Sequence, residues 1–582
     1  MALLPWTVLL LSALAKCDSF DYVIIGGGTS GLVIANRLSE DPSVTVAVIE
    51  AGPDARDYPN VTRIDNHDLS YINASIDWQY YSVPQEGLGG RSILYHAGRA
   101  LGGSSDINSM DYLRGDKAQY DAWERLGNEG WNWDTLFPYF KLSENFTIPT
   151  PEQIAEGATF DEQAHGEDGF LTTGYRPGLD NSSFYGDYLQ TWSELGIPRI
   201  LDANGGATEG FSLFPQTLDR DANVRESSAR AYYEPVDDRP NLTVIQGTVS
   251  RITWCEKSGD DVVASGVEYV DPSGELSHVD VSKEAIISAG VYRSPLVLEA
   301  SGIGNSNILS QYGIETQVEL PSVGEGMQEQ QMVAVAFSVT QDIEGFTPYV
   351  TFLSAQDIFG NDTSSVAGTT EAEISAWAQT ISESSGGALS PEVLEKRFGI
   401  QHDLFFKDNT TLVETLPVTG PGIVGSVFWT LLPFSWGSVH LNTSSAADYP
   451  LIDPNYIALD IDLEILTGAG RVVRNLFNTA PLSSWVVDQA GFGVPTVSAT
   501  NDEWSDYIKE QVTTDWHTVG TCAMLPQDLG GVVDSRLKVY GTQNVRIVDA
   551  SVIPLQMSGH PTATLYALAE RAADLIKEDQ VA

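Results

Sequence analysis

Phe20-Asp21-Tyr22-Val23-Ile24-Ile25-Gly26-Gly27-Gly28-Thr29-Ser30-Gly31 is a short apolar run that passes directly into a glycine-rich turn. A helical stretch to about Leu38 follows, then a second apolar run, Val44-Thr45-Val46-Ala47-Val48-Ile49, so the segment reads as a βαβ unit. Neither run alternates polar with apolar residues, as expected of parallel strands covered on both faces. In Gly26-x-Gly28-x-x-Gly31 the glycines permit a tight turn and let a pyrophosphate approach the N–H groups of the next helix, which Thr29 and Ser30 open. Glu50, at the end of the second strand, is placed to accept hydrogen bonds from a ribose diol. A dinucleotide site follows, open at this point to FAD and to NAD alike.

Outward from this unit the chain is long. At 582 residues it exceeds what one core serves, so at least two lobes share it. Apolar residues make up 42% and charged residues 19%, with 53 Gly and 28 Pro, which excludes a disordered or fibrous chain. Residues 58–230 are dense in Trp, Tyr, Gly, Pro and Asn and read as loops and short helices laid over the nucleotide domain. Strands return at Leu242-Thr243-Val244-Ile245 and Ala285-Ile286-Ile287-Ser288, so that domain is interrupted and then resumed. Residues 341–414, rich in Ser, Thr, Gly and acidic groups, read as the outer part of a second, substrate-facing lobe. Apolar residues at Leu565, Leu568, Ala572, Leu575 and Ile576 predict a closing helix over 562–577.

With 79 acidic and 31 basic side chains the formal charge is -48, a surface that repels phosphate backbones and excludes nucleic acid as a partner. Residues 1–15, MALLPWTVLLLSALA, hold an apolar run too short to span a bilayer and end in Ala13-Leu14-Ala15, the pattern of a secretory signal peptide rather than a membrane insertion. Eight N-x-S/T sequons, at Asn60, Asn73, Asn145, Asn181, Asn241, Asn361, Asn409 and Asn442, agree with a chain that is secreted or held in the secretory lumen or cell wall. Cys17, Cys255 and Cys522 allow one disulfide with a thiol left over, and the pairing is open. No spacing fits a metal site, and oligomeric state has no signature.

Gly98-Arg99-Ala100-Leu101-Gly102-Gly103-Ser104-Ser105-Asp106-Ile107-Asn108 resembles the first signature of the glucose-methanol-choline (GMC) family of flavin oxidoreductases. The second is approached by Gly290-Val291-Tyr292-Arg293-Ser294-Pro295 through Ser301-Gly302-Ile303-Gly304, with Val291 where a small residue is usual. Asp515-Trp516-His517-Thr518-Val519-Gly520-Thr521, and Val548-Asp549-Ala550-Ser551 through Gly559-His560-Pro561-Thr562, are similar to the family's active-site segments. The resemblance covers nearly the whole mature chain and points to the fungal branch of glucose oxidase, FAD-dependent glucose dehydrogenase and aryl-alcohol oxidase.

The resemblance implies an α/β, Rossmann-like FAD-binding domain, discontinuous over 20–60, 95–115, 230–330 and 530–582. It implies an α+β substrate-binding lobe with an antiparallel sheet, built from 61–94, 116–229 and 331–529. The cofactor implied is FAD, held non-covalently, with Gly26, Gly28, Gly31 and Glu50 on its ADP half and the Val249 backbone at adenine. Arg99, Gly102, Ser104 and Asn108 would lie along the pyrophosphate and flavin, Asp549 on the ribityl chain and Ala550 at the flavin edge. Pro561 and Thr562 open the last helix, whose N-terminal N–H groups would face the flavin.

By the same resemblance His517 is the base and His560 its partner. A hydride leaves an alcohol carbon readily only as the hydroxyl proton is withdrawn, and imidazole has the basicity for that at neutral pH. The other six histidines, His67, His96, His165, His278, His402 and His440, read as packed or surface residues, although His96 lies near the first signature, where some family members tether the flavin.

Sugar-specific members carry an Arg four residues before the base and an Asn two before it. Thr513 and Asp515 stand there in this chain, which removes a donor fork and adds a carboxylate. Trp436 replaces another Arg common in the family and reads as packing, while Trp516 is placed to stack on an aromatic or furan-type substrate. The expected reaction is hydride transfer from an aromatic or heteroaromatic primary alcohol, or from a lactol giving a lactone as in fungal specialised metabolism, with dioxygen or a quinone reoxidising the flavin. The alternatives are a sugar oxidase or dehydrogenase and a flavin-containing lyase of the hydroxynitrile type.

Overall fold

The computed structural model describes residues 19–64, 74–179, 184–255, 261–339, 342–343, 348–488 and 491–581. The signal-peptide run, Cys17, His67, Asn73 and Asn181 lie outside the described residues. Ser19–Ile25 and Val46–Glu50 are adjacent parallel strands joined by the helix Thr29–Leu38. Their apolar side chains from Tyr22 to Ile25 and from Val46 to Ile49 are sealed from solvent. Each such Val or Ile contributes roughly 1.5–3 kcal/mol.

The strands belong to a seven-stranded sheet in the order Leu242–Gln246, Val46–Glu50, Ser19–Ile25, Leu276–Ile287, Ala264–Val270, Thr248–Trp254, with Val545–Ile547 paired to Leu276–Ile287. The last three strands of that order pair antiparallel, and the rest pair parallel. The sheet is therefore mixed, and its outer members, Leu242–Gln246 and Thr248–Trp254, lie far along the chain from the βαβ unit.

A second sheet of six strands is wholly antiparallel: Thr513–Thr514, Gln331–Ser338, Ile423–Thr430, Thr411–Gly420, Tyr349–Ser354, Gly210–Leu213. The 341–414 stretch differs from its sequence reading, because it supplies an interior strand of this sheet as well as two helices, Thr363–Ser384 and Pro391–Phe406, that pack on each other. Trp436 is fully buried against Phe398 and the Arg397 guanidinium, which is packing.

The closing helix spans Pro561–Val581 and lies on Thr29–Leu38. Arg37 holds it by donating to both oxygens of Glu570, at 2.6 and 2.8 Å. The helix Trp133–Ser143 also packs on it. Cys255 is an exposed free thiol and Cys522 a buried one, so these two do not form the disulfide. Among the described residues no helix is long and apolar enough to cross a membrane, and no cluster of side chains suits a metal.

Candidate active site

A cavity of about 530 Å³ runs from the glycine turn, between the two sheets, to the start of the last helix. At one end Gly26, Gly28, Thr29, Ser30, Glu50 and Val249 line it; Ser104 and Asn108 lie along its wall with Asp549, Ala550, Pro561 and Thr562; and Asp515, Trp516, His517 and His560 close the other end. Gly26 has φ +104, and a Cβ on it would stand 2.4 Å from the Ser288 carbonyl oxygen, so only glycine makes the turn. The helix Thr29–Leu38 begins without a side-chain cap or an acidic residue in its first turn. The Ser30 and Ser288 hydroxyls are buried there without partners. An uncapped helix end flanked by two orphaned hydroxyls suits the pyrophosphate of FAD. Glu50 already accepts the N–H groups of Gly27 (2.8 Å) and Gly52 (2.7 Å), while burial pushes its carboxyl up to about 7.

Four expected contacts take other roles. Gly31 does not line the cavity; a Cβ there would meet the Gly26 carbonyl oxygen at 2.1 Å, so its work is to seat the helix on the turn. Gly102, at φ +116, stands behind the wall, where its N–H donates to Gly27 and a Cβ would strike the Asp106 carboxylate. The Arg99 guanidinium lies over Trp78, outside the cavity lining, while Arg293 covers Trp78 at 3.7 Å and does line it. Thr513 is held in an edge strand against Met332 and is not a lining residue. Asn241 is a poor glycan acceptor, because its side-chain nitrogen donates to the carbonyls of Ser39, Asp41 and Val44.

The imidazoles of His517 and His560 stand 4.6 Å apart at 75°. His517 sits on a turn that Trp516 makes at φ +58, a left-handed conformation costly for so bulky a residue. The buried Glu329 carboxyl holds that turn from beneath. It accepts the N–H groups of Asp515 and His517 at 3.3 and 3.4 Å and the Thr518 hydroxyl, and burial pushes it up to about 8.

Gln330 fixes the His517 tautomer. Its side-chain nitrogen donates to the carbonyls of Leu431 and Met557, so its oxygen must face Nδ1 of His517, 2.8 Å away. Nδ1 therefore carries a proton, so in the neutral ring the lone pair is on Nε2. Asp515 Oδ2 is also 2.8 Å from Nδ1, an ion-pair distance, yet lies out of line for a hydrogen bond and has no partner.

His560 has the opposite character. Burial alone would lower its basicity, but Glu414 Oε1, 3.1 Å from Nε2, lifts it to about 9, with Asp111 and Asp515 adding to the effect. The pair sets a ring whose Nδ1 is committed to Gln330 beside an imidazolium held by Glu414. Trp429 stands edge-on to both rings.

Asp111, Glu414, Gln330, Glu329 and Trp429 were absent from the sequence expectations. All but Glu329 and Asp111 come from strands or strand edges of the antiparallel sheet, and no motif marks them.

Family models described as GMC oxidoreductase match residues 20–332 and 433–569. The chain is 48% identical to a glucose oxidase-like protein, fsoC, of Humicola fuscoatra, over 97% of each chain. It is 33% identical to a glucose oxidase of Aspergillus carbonarius, covering 96% of this chain and 92% of that one. Among solved structures it superposes on an FAD-dependent oxidoreductase from Chaetomium thermophilum with a TM-score of 0.87 at 30% identity, over 97% of this chain and 100% of that one. A fungal aryl-alcohol oxidase gives a TM-score of 0.85 at 27% identity over the same shares.

Proposed function

The chain belongs to the GMC oxidoreductases and binds FAD, and from that premise we propose that it is a secreted oxidase or dehydrogenase of a small alcohol, with His517 as base and His560 as hydrogen-bond donor. The preferred substrate is an aromatic or heteroaromatic primary alcohol, or a lactol taken to its lactone. The observation that carries this reading is two imidazoles 4.6 Å apart at one end of the FAD cavity, one with Nδ1 against the Gln330 oxygen and the other with Nε2 against the Glu414 carboxylate.

FAD supplies the hydride acceptor. Nε2 of His517 withdraws the hydroxyl proton as the C–H electrons leave, a contribution of about 10²–10⁴ in rate. His560, held protonated by Glu414, donates to the same oxygen and stabilises the negative charge that grows on it. Trp429 and Trp516 wall the reacting carbon and limit water. FAD is held non-covalently, and dioxygen or a quinone reoxidises it; relatives named as oxidases favour dioxygen.

Anaerobic stopped-flow flavin reduction over aryl alcohols, lactols and sugars, with reoxidation followed in air, tests substrate and acceptor together. Fast bleaching by benzylic alcohols supports the reading, and bleaching by glucose alone removes it in favour of a sugar oxidase, the second reading that the relatives' names favour. On secretion, exposed Asn60, Asn145, Asn361, Asn409 and Asn442 are the glycan acceptors. Glycosidase-sensitive mass at these positions would support that, and an unmodified secreted chain would refute it.

A further inference from the structure

Three carboxylates, Glu414, Asp111 and Asp515, act on the imidazole pair. Glu414 is the carboxylate in contact with His560, yet Asp111 and Asp515 also line the cavity beside the two rings. Asp111 does not hydrogen-bond to His560. Its Oδ1 is instead anchored by the side-chain nitrogen of Gln216 at 3.1 Å, and the same nitrogen donates to the Ser109 carbonyl. Gln216 is fully buried and pairs with Asp111 through the backbone as well, so this carboxylate is held in a fixed place. Asp515 is nine-tenths buried, and its Oδ2 has no hydrogen-bond partner.

Part of the wall is apolar. Strand pairing sets Leu416 against Val427 and Met332 against Trp429, which places these four side chains on the face that bears Glu414. All four line the cavity. At the imidazole end of the cavity three carboxylates therefore stand near one imidazolium and beside aromatic rings. Buried charge of that kind is costly unless a ligand neutralises it, and a carboxylate beside tryptophan rings is the arrangement that recognises a nitrogen cation.

We propose that the preferred substrate is an aryl or heteroaryl carbinol that also carries a protonated nitrogen remote from the carbinol carbon, with Asp111 binding that nitrogen and Asp515 supporting it. The proposal rests on the alcohol-oxidation reading above and narrows its substrate class. The carbinol faces His517 and His560, the ring lies between Trp429 and Trp516, and the cation reaches Asp111.

The test compares anaerobic flavin reduction of the FAD-loaded enzyme by 4-(aminomethyl)benzyl alcohol, benzyl alcohol and glucose. The ratio of second-order rate constants, amine-bearing over plain, is expected to be about tenfold or more, the scale of one well-placed charge pair. Asp111→Asn, and Asp111→Ser as a second variant, should bring that ratio to about one while both retain FAD. Calorimetry with 4-methylbenzylamine, which has no hydroxyl to oxidise, should show the same loss of binding. A wild-type ratio near one, a ratio unmoved in both variants, or rapid reduction by glucose alone overturns the proposal and leaves flavin-dependent oxidation standing. No reduction by any alcohol overturns both.

Discussion

The side-chain oxygen of Gln330 lies 2.8 Å from Nδ1 of His517, and two backbone carbonyls on its other side forbid the amide from turning over. One amide thus decides which nitrogen of the base bears the proton. Gln330→Leu removes that decision at nearly constant volume. Flavin reduction is expected to slow by about 10–100-fold, in the range typical for losing the partner of a catalytic histidine. FAD content and thermal midpoint should stay close to wild type, and restoration of the rate by Gln330→Glu would mark orientation as the cause. Equal rates in wild type and Gln330→Leu would remove the tautomer argument.

The His560–Glu414 pair sets an alkaline limit. His560 is raised to about 9 in the fold, above the ordinary imidazole value near 6.5, so the contribution of the pair to stability is full below about 6.5 and is lost as pH rises through 9. If the imidazolium donates in the reaction, kcat/KM falls over the same limb. Glu414→Gln takes away the main support for the charge, and the alkaline limb should move to lower pH by at least one unit. A pH profile of flavin reduction, unshifted in Glu414→Gln, would show that His560 works uncharged.

Glu329 has the same sign, through a proton that only the fold holds. Its folded pKa, about 8, exceeds the ordinary carboxyl value near 4.3, so the fold binds a proton that the unfolded chain releases. Stability is then present below about 4.3 and falls between there and 8, by up to about 1.4 kcal/mol per pH unit. Glu329→Gln cannot ionise and should flatten that fall, gaining in thermal midpoint against wild type at pH 8 but not at pH 4. Parallel curves for the two proteins would place the titration elsewhere.

How much of this was legible in the sequence depends on whether the signal was local. Ser19–Ile25, the glycine turn and Val46–Glu50 were readable because strand, turn and strand are contiguous and their side chains uniformly apolar. The closing helix showed in the spacing of Leu568, Ala572 and Ile576. Asp111 and Glu414 were not readable, since nothing near either in sequence says that it will face two imidazoles more than 100 residues away. The helix Thr363–Ser384 buries only Thr370, Ala378, Ile381 and Ser382, so it carries little apolar period and no helix was readable within the outer lobe. Thr513 was misplaced because its position relative to the base was taken from the family pattern, and its strand pairing with Met332 overrides that.

The last helix begins just after His560 and is fixed to the helix that follows the glycine turn by Arg37 and Glu570, at 2.6 and 2.8 Å. Glu570 is almost sealed and also accepts the Tyr232 hydroxyl, so this carboxylate has no water to fall back on. Removing one partner leaves a buried charge uncompensated, a loss of about 3–5 kcal/mol, whereas replacing both by apolar groups of similar volume is often near neutral. Arg37→Met should therefore destabilise the protein more than Arg37→Met combined with Glu570→Met. Because both the turn and His560 hang on these two helices, the single variant should also lose FAD on dilution, read as free flavin fluorescence, while the double variant retains it. A double variant no better than the single one, in both unfolding and flavin release, would mean that the charge itself, rather than the apolar contact of the two helices, holds the cofactor end and the catalytic end of the cavity in register.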